Sequence, residues 1–313
     1  MIEFTRGRWM NDTHYRLGLA LITASAVAWS TAGLFTRLLA LDSWTMLAWR
    51  GLFGALGIAV FMVILDRRNA WASALRMGWP GLLFTVCSAV GMMFFITALN
   101  HTTVAHVAVI YATIPFTAAA LAWLFLGEKP TASAVAASIA AFAGVALMVG
   151  LSVEGTIFGD LLALGMTVSM SAMTVIARSF SNMSVLAAAG LSALLAGIVC
   201  WPLGAPLAVN GQEFLLLALF GLVNSAVGLG LFTIGARYLP AIETALIGSL
   251  DAPLAPLWVW LAFGETPSAA TLVGALIVFT AVGIHLVRSA IKRGGAAASR
   301  ASDRRNDRLA DLP

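Results

Sequence analysis

Two long stretches of this chain are copies of one another. Ser88-Ala89-Val90-Gly91 returns in the second half as Ser225-Ala226-Val227-Gly228. At the same ungapped offset Trp123-Leu124 meets Trp260-Leu261, Gly127-Glu128 meets Gly264-Glu265, and Pro130 meets Pro267. Sixteen identities fall in the 62 positions from Ser88 to Val149. Upstream the match continues with small shifts in loop length: Leu47-Ala48 and Gly51-Leu52 pair with Leu186-Ala187 and Gly190-Leu191, and Ser30 and Arg37 with Ser171 and Arg178. Apolar residues make up 60% of the chain and charged residues 10%, where a soluble domain carries about 25% charge. A water-facing surface cannot be built from that composition. A repeat so long and so apolar belongs to an internally symmetric membrane protein. Cys87 and Cys200 lie in apolar stretches and form no disulfide framework. Residues 1–16 are polar and basic, and the apolar run behind them is too long for a signal peptide, so no cleavable leader is expected.

A spanning helix needs about 20 apolar residues. Such runs predict ten spans, at about 17–40, 44–65, 79–98, 103–126, 131–150, 158–178, 183–203, 213–236, 241–263 and 268–288. The chain then divides into an N-terminal segment (1–16), a first five-span repeat (17–150), a second (157–288) and a basic tail (289–313). The tail, rich in Ala, Ser and Gly, reads as disordered. Placing the N-terminus in the cytoplasm puts 16 of the 18 Lys and Arg on the inside, leaving Arg37 and Arg50 within spans. The positive-inside rule therefore predicts that both termini are cytoplasmic. Five spans is an odd number, so the second copy must cross the bilayer upside down. Lys129, in the inward-turned Gly-Glu-Lys-Pro loop, has become Thr266 in its outward-turned twin. The expected fold class is an all-α membrane protein of two inverted five-helix repeats, and two related halves that exchange roles are the basis of alternating access.

Two inverted five-helix units, each ending its fourth span in Gly-Glu followed by Pro, resemble the drug/metabolite transporter superfamily, EamA type. Trp29-Ser30 in the first span and Arg50 in the second fit that likeness, which covers roughly residues 17–288. Within the superfamily the chain is most similar to the YddG-like exporters of aromatic and other amino acids. The resemblance implies a basket of ten helices around a central cavity, with spans 1, 3, 4, 6, 8 and 9 lining it and spans 5 and 10 at the periphery. It implies a secondary transporter of small metabolites in a bacterial inner membrane. The alternatives are a multidrug or nucleotide-sugar carrier of the same fold, or a non-transporting scaffold. No cofactor is expected, and no metal-ligand cluster, phosphate loop or nucleophile elbow is visible, which argues against an enzyme. The basic tail suits anionic lipid rather than nucleic acid.

Candidate residues follow from polar and small side chains inside spans. Gly91 and Phe94 share a helix face with Cys87, and their repeat partners are Gly228, Leu231 and Asn224. Each glycine either opens room for a solute or lets a neighbouring helix cross. Asn224 needs partners in hydrocarbon, from a solute or from another helix. Tyr111 offers an amphipathic ring suited to an aromatic ligand, with Thr113 and Pro115 close by. Asp251, just before Pro253 and Pro256, is an ionisable group near the bilayer centre. It could hold a proton, bind an ammonium, pair with Arg50 or cap a Pro-broken helix. The expected substrate cavity is therefore Phe94, Tyr111, Thr113, Asn224 and Asp251, together with Gly91, Gly228 and Ser30. His106 is expected at the interface, or in a proton relay, and Glu243 is expected to reach the interface. In the fifth span Ala132, Ala136, Ala140 and Gly144 form a small-residue row for close packing, against a neighbouring helix or a second protomer of a homodimer.

Overall fold

A computed structural model of the protein describes residues 12–65, 77–102, 104–150, 156–180, 183–264 and 266–310. Ten helices in it are long and apolar enough to cross a membrane. They are α1 (Thr13–Leu38), α2 (Ser43–Ile64), α3 (Gly78–Leu99), α4 (His106–Leu126), α5 (Ala132–Val149), α6 (Ile157–Ser179), α7 (Val185–Leu203), α8 (Gly211–Gly235), α9 (Ala241–Phe263) and α10 (Ala269–Ser289). Beyond α10 the helix continues to Ala310, over the segment whose composition predicts disorder. Glu265, the repeat twin of Glu128, lies outside the described residues.

Packing follows the repeat. The closest helix pairs are α3 with α6, α2 with α7, and α5 with α10. In each, a span of one half lies on a span of the other. The remaining large contacts also come as twins: α2–α8 with α3–α7, and α4–α6 with α1–α9, while α1–α8 is the twin of α3–α6. Without a hydrophobic drive between helices in lipid, small residues at the crossings set how closely they approach. A Cβ on Gly51 would lie 2.5 Å from the Ala193 carbonyl oxygen and 2.6 Å from the Gly197 nitrogen, so α2 and α7 touch backbone to backbone. Gly144 of α5 meets the Gly274 carbonyl of α10 in the same way, at 2.8 Å. Of the small-residue row in α5, Gly144 turns inward with Ala137 and Ala141, whereas Ala132 is exposed and Ala136 and Ala140 are not among the buried residues of that helix.

Both α4 and α9 are broken in mid-course. The helix of α4 stops at Tyr111 and restarts at Ile114, and that of α9 stops at Gly248 and restarts at Asp251. Tyr111 and Gly248 occupy the same place in the two repeats, as do Ile114 and Asp251. Proline explains the interruptions. Pro115 and Pro253 bring no N–H to the carbonyls of Tyr111 and Ser249, four residues back, and their rings clash with those carbonyls. The chain crosses each gap on tight turns, Thr113 N–H to Ile110 O at 3.0 Å and Leu250 N–H to Ile247 O at 3.1 Å. Irregular backbone at membrane depth is tolerated where protein or a polar cavity surrounds it. A further irregularity breaks the symmetry: Gly221–Leu229 of α8 is a π-helix, while the twin stretch of α3 is regular α-helix.

Candidate functional site

The π-helical turn of α8 is built around α1. Wider turns leave carbonyls available to side chains, and two of them are taken: Trp29 donates its indole N–H to the Asn224 carbonyl at 3.0 Å, and Ser25 its hydroxyl to the Gly228 carbonyl at 2.7 Å. The Asn224 amide donates back to the carbonyls of Ala28 and Trp29 at 3.4 and 3.3 Å. Its oxygen accepts from Arg50 Nη1 of α2 at 3.2 Å. Asn224 is thus buried and bonded to two other spans. Arg50 also places Nη2 3.3 Å from the sulfur of Met92 and its guanidinium carbon 5.4 Å from the centre of the Phe220 ring. The partner of this deep cation is an amide.

Ser30 ends the first helical segment of α1. Its hydroxyl donates to the Val27 carbonyl and accepts the Trp258 indole N–H from α9, both at 2.7 Å. Its repeat twin, Ser171 of α6, pairs with Thr117 of α4 at 2.5 Å. Each broken span is therefore pinned, just past its break, to the first span of the other repeat. Gly228 and Gly91 also occupy matched crossings. A Cβ on Gly228 would lie 2.6 Å from the Trp29 ring of α1, and one on Gly91 3.0 Å from the Ser169 Cβ of α6.

Phe94 packs its ring over Gly165 of α6, where a Cβ would come within 2.8 Å of it. With Tyr111 it flanks a cluster of Ala98, Val107, Ala163 and Met166. Thr113 spends its hydroxyl on the Ile110 carbonyl at 2.6 Å, within the turn that bridges the break. Asp251 opens the second half of α9, just after the break. Among the described residues it forms no ion pair. Gly248, the twin of Tyr111, has open space beside it: an added Cβ would meet nothing within 4 Å. At equivalent places, one repeat fills the break with a phenol ring and the other leaves it empty.

The eight sequence-chosen residues thus fall in two groups. Gly91, Phe94, Tyr111 and Thr113 lie where α3 and α4 meet α6, and Ser30, Asn224, Gly228 and Asp251 where α8 and α9 meet α1. Tyr111 and Asp251 stand at the two matched breaks. Sequence reasoning passed over Trp29 and Trp258 as side-chain donors, because indoles in a span read as packing or lipid contact, and over the Thr117–Ser171 pair. It also misplaced Glu243. Far from reaching the interface, Glu243 is buried, accepting the Tyr15 hydroxyl at 2.8 Å and lying 3.6 Å from His285 Nε2. His106 and Glu243 are repeat twins, a signal the alignment of the two halves already held. His106 lies 3.0 Å from Asp160 of α6, which also accepts the Thr102 hydroxyl at 2.9 Å. Spans alternate in direction, so the two clusters sit at opposite ends of the bundle.

At the Glu243 end, Glu128 from the Gly-Glu-Lys-Pro loop binds Arg178 at the close of α6, with contacts of 2.6 and 2.7 Å. Arg178 donates as well to the Leu239 carbonyl, at 2.5 Å. These groups border a cavity of about 230 Å³ whose lining includes Lys129, Pro240 and Glu243. No group of three or more His, Cys, Asp or Glu that could hold a metal ion occurs among the described residues.

No curated protein matches the chain. A solved structure titled only "Crystal structure of protein" is similar to it at 20% identity and a TM-score of 0.75, covering 88% of this chain and 98% of that one, a likeness of fold. The sequence pattern of the EamA-like transporters matches twice, over residues 16–150 and 157–287. Matched in both of its five-span repeats, the chain belongs to the EamA-like transporter family.

Proposed function

We propose that the small molecules this membrane transporter carries are amino acids, aromatic ones included, and that it exports them from a bacterial cell by alternating access. The observation that carries this reading is the pair of matched breaks in α4 and α9, with Tyr111 at one and Asp251 at the other. Discontinuous spans at matched places in two inverted repeats are where transporters of this architecture hold their solute. An amino acid brings a cation, an anion and a side chain to such a site. Asp251 is a carboxyl group without an ion-pair partner among the described residues, suited to an ammonium group. Arg50, held by an amide rather than a carboxylate, keeps charge to offer a solute carboxylate. Tyr111 and Phe94 supply aromatic surface, and the space beside Gly248 leaves room for the solute's own side chain. A mainly apolar pocket with a few convergent polar groups is the usual form of such sites.

The same reading places the Arg178–Glu128 end in the cytoplasm, where Lys129, Arg237 and Arg288 gather. Purified protein in liposomes, tested with a panel of labelled amino acids, decides the matter. We expect exchange across the membrane well above protein-free liposomes for phenylalanine or other large neutral amino acids. Flux at the protein-free level for every amino acid, with flux for cationic dyes or nucleotide sugars, would transfer the protein to the alternative substrate classes.

A further inference from the structure

We infer that Glu243 and His285 form a proton-exchange site that couples a proton to solute movement, an inference that rests on the protein being a transporter. Both side chains are almost sealed, at 6% and 1% exposure, with Nε2 of His285 3.6 Å from Oε1 of Glu243. The Tyr15 hydroxyl of α1 donates to the other carboxylate oxygen at 2.8 Å. His285 turns Nδ1 to the Ser133 hydroxyl of α5 at 3.2 Å. The site therefore joins four spans: α1, α5, α9 and α10. Packing alone does not call for a carboxylate and an imidazole there, since charged groups within spans are costly and mark ion pathways.

Access is provided on one side. Glu243 borders the cavity of about 230 Å³, along with Glu128, Lys129 and Arg178, which are the other charged groups lining it. A proton can pass between that cavity and the pair through Glu243, which borders both. When it leaves, the pair goes from net neutral to net negative, as a carboxylate beside a neutral imidazole. A net negative charge in this enclosure favours movement of the first half of α9 toward the cavity water, and the same span begins its second half with Asp251. Proton release and rearrangement at the break are thereby linked through one helix. The twin cluster of His106 and Asp160 is more open, with side chains 22% and 35% exposed, so the two ends differ in how tightly they hold a titratable pair.

Two measurements on the full-length protein test this. Infrared difference spectra of detergent-purified protein, taken between about pH 5 and pH 9 where His–carboxylate pairs exchange protons, should show a protonated-carboxyl band that is lost in Glu243→Gln and kept in Asp251→Asn. Tyr15→Phe, which removes one hydrogen bond and keeps the ring, should shift the midpoint of that band, and serves if Glu243→Gln does not fold. In liposomes loaded with labelled phenylalanine, a pH gradient should drive flux well beyond equal-pH exchange. The ratio of the two should fall about tenfold in Glu243→Gln, the loss of ~1.4 kcal/mol of coupling. A band unaltered by both Glu243→Gln and Tyr15→Phe overturns the proton site even if phenylalanine is carried. A Glu243-dependent band without flux of any amino acid keeps the proton site and removes the amino-acid reading.

Discussion

At the scale of single residues, the two deep charges have different tasks. Arg50 is tied to Asn224, and Asn224 in turn to the backbone of α1, so the amide joins three helices. Replacing Asn224 by Ala strips Arg50 of that bond, and an unsatisfied buried group costs about 1–3 kcal/mol. We expect Asn224→Ala to lower the melting temperature of the purified protein and flux together, and Asn224→Asp to recover only part of the stability, since its carboxylate pairs with Arg50 but cannot donate to the carbonyls of Ala28 and Trp29. Asp251 forms no ion pair among the described residues, so Asp251→Asn should preserve the melting temperature while reducing flux at least about tenfold, as for an intramembrane ionisable group that meets the solute. A fall in stability equal to that of Asn224→Ala would instead make Asp251 a structural cap. Tyr111→Phe should retain most of the flux for an aromatic amino acid and Tyr111→Ala should lose it, because ring contact contributes about 0.5–1.5 kcal/mol beyond area. The presence of these polar groups was legible in the sequence, and their partners were not. Helix rotation fixes partners, and a span that is apolar on all sides gives no periodic signal from which to read it.

At the scale of elements, prolines and glycines decide which helices bend and which touch. Pro253→Ala would supply the missing N–H to the Ser249 carbonyl and let α9 run straight through its break. Such a variant should be at least as stable as the parent and yet transport poorly; full flux from a straightened α9 would separate the break from the function. Gly51→Ala drives a methyl group into backbone atoms of α7 at 2.5 and 2.6 Å. Backbone cannot swing aside as a side chain can, so a loss of about 1–3 kcal/mol or more is expected, seen as lowered yield and melting temperature. Gly248→Ala meets nothing within 4 Å and should be neutral or slightly stabilising. Gly248→Phe tests the space itself: the variant should fold in detergent as the parent does and carry no large solute. The sequence showed Pro115 and Pro253 near mid-span and raised a Pro-broken helix at Asp251. The π-turn of α8 left no such trace. Gly221–Leu229 reads as an ordinary apolar stretch, and its widening depends on Trp29 and Ser25 from α1, which is remote along the chain.

For the whole molecule the repeat was the strongest guide. One constant offset relates α3–α5 to α8–α10, the break in α4 to that in α9, and His106 to Glu243, and all of this can be read from the chain alone. The inward turning of Glu243 could not, since hydropathy places a lone Glu near a span end at the interface, and only the meeting of α1, α9 and α10 shows that protein covers it. The same symmetry governs orientation. Five spans per repeat force the halves to cross the bilayer in opposite directions, so a single observation on one terminus fixes every loop. Lys and Arg collect in the loops and termini on one side, and cationic segments are retained in the cytoplasm. A fluorescent protein fused after Asp311 should therefore fold and fluoresce in whole cells. Alkaline phosphatase at that position should be inactive, and inserted between Gly264 and Pro267 it should be active, because that loop emerges at the opposite face. Active phosphatase after Asp311 would invert the molecule, moving the Arg178–Glu128 end and the cavity beside Glu243 to the outer surface. The Glu243 site would then take protons from outside rather than from the cytoplasm, and the direction of a driving pH gradient in liposomes of known protein orientation would reverse with it.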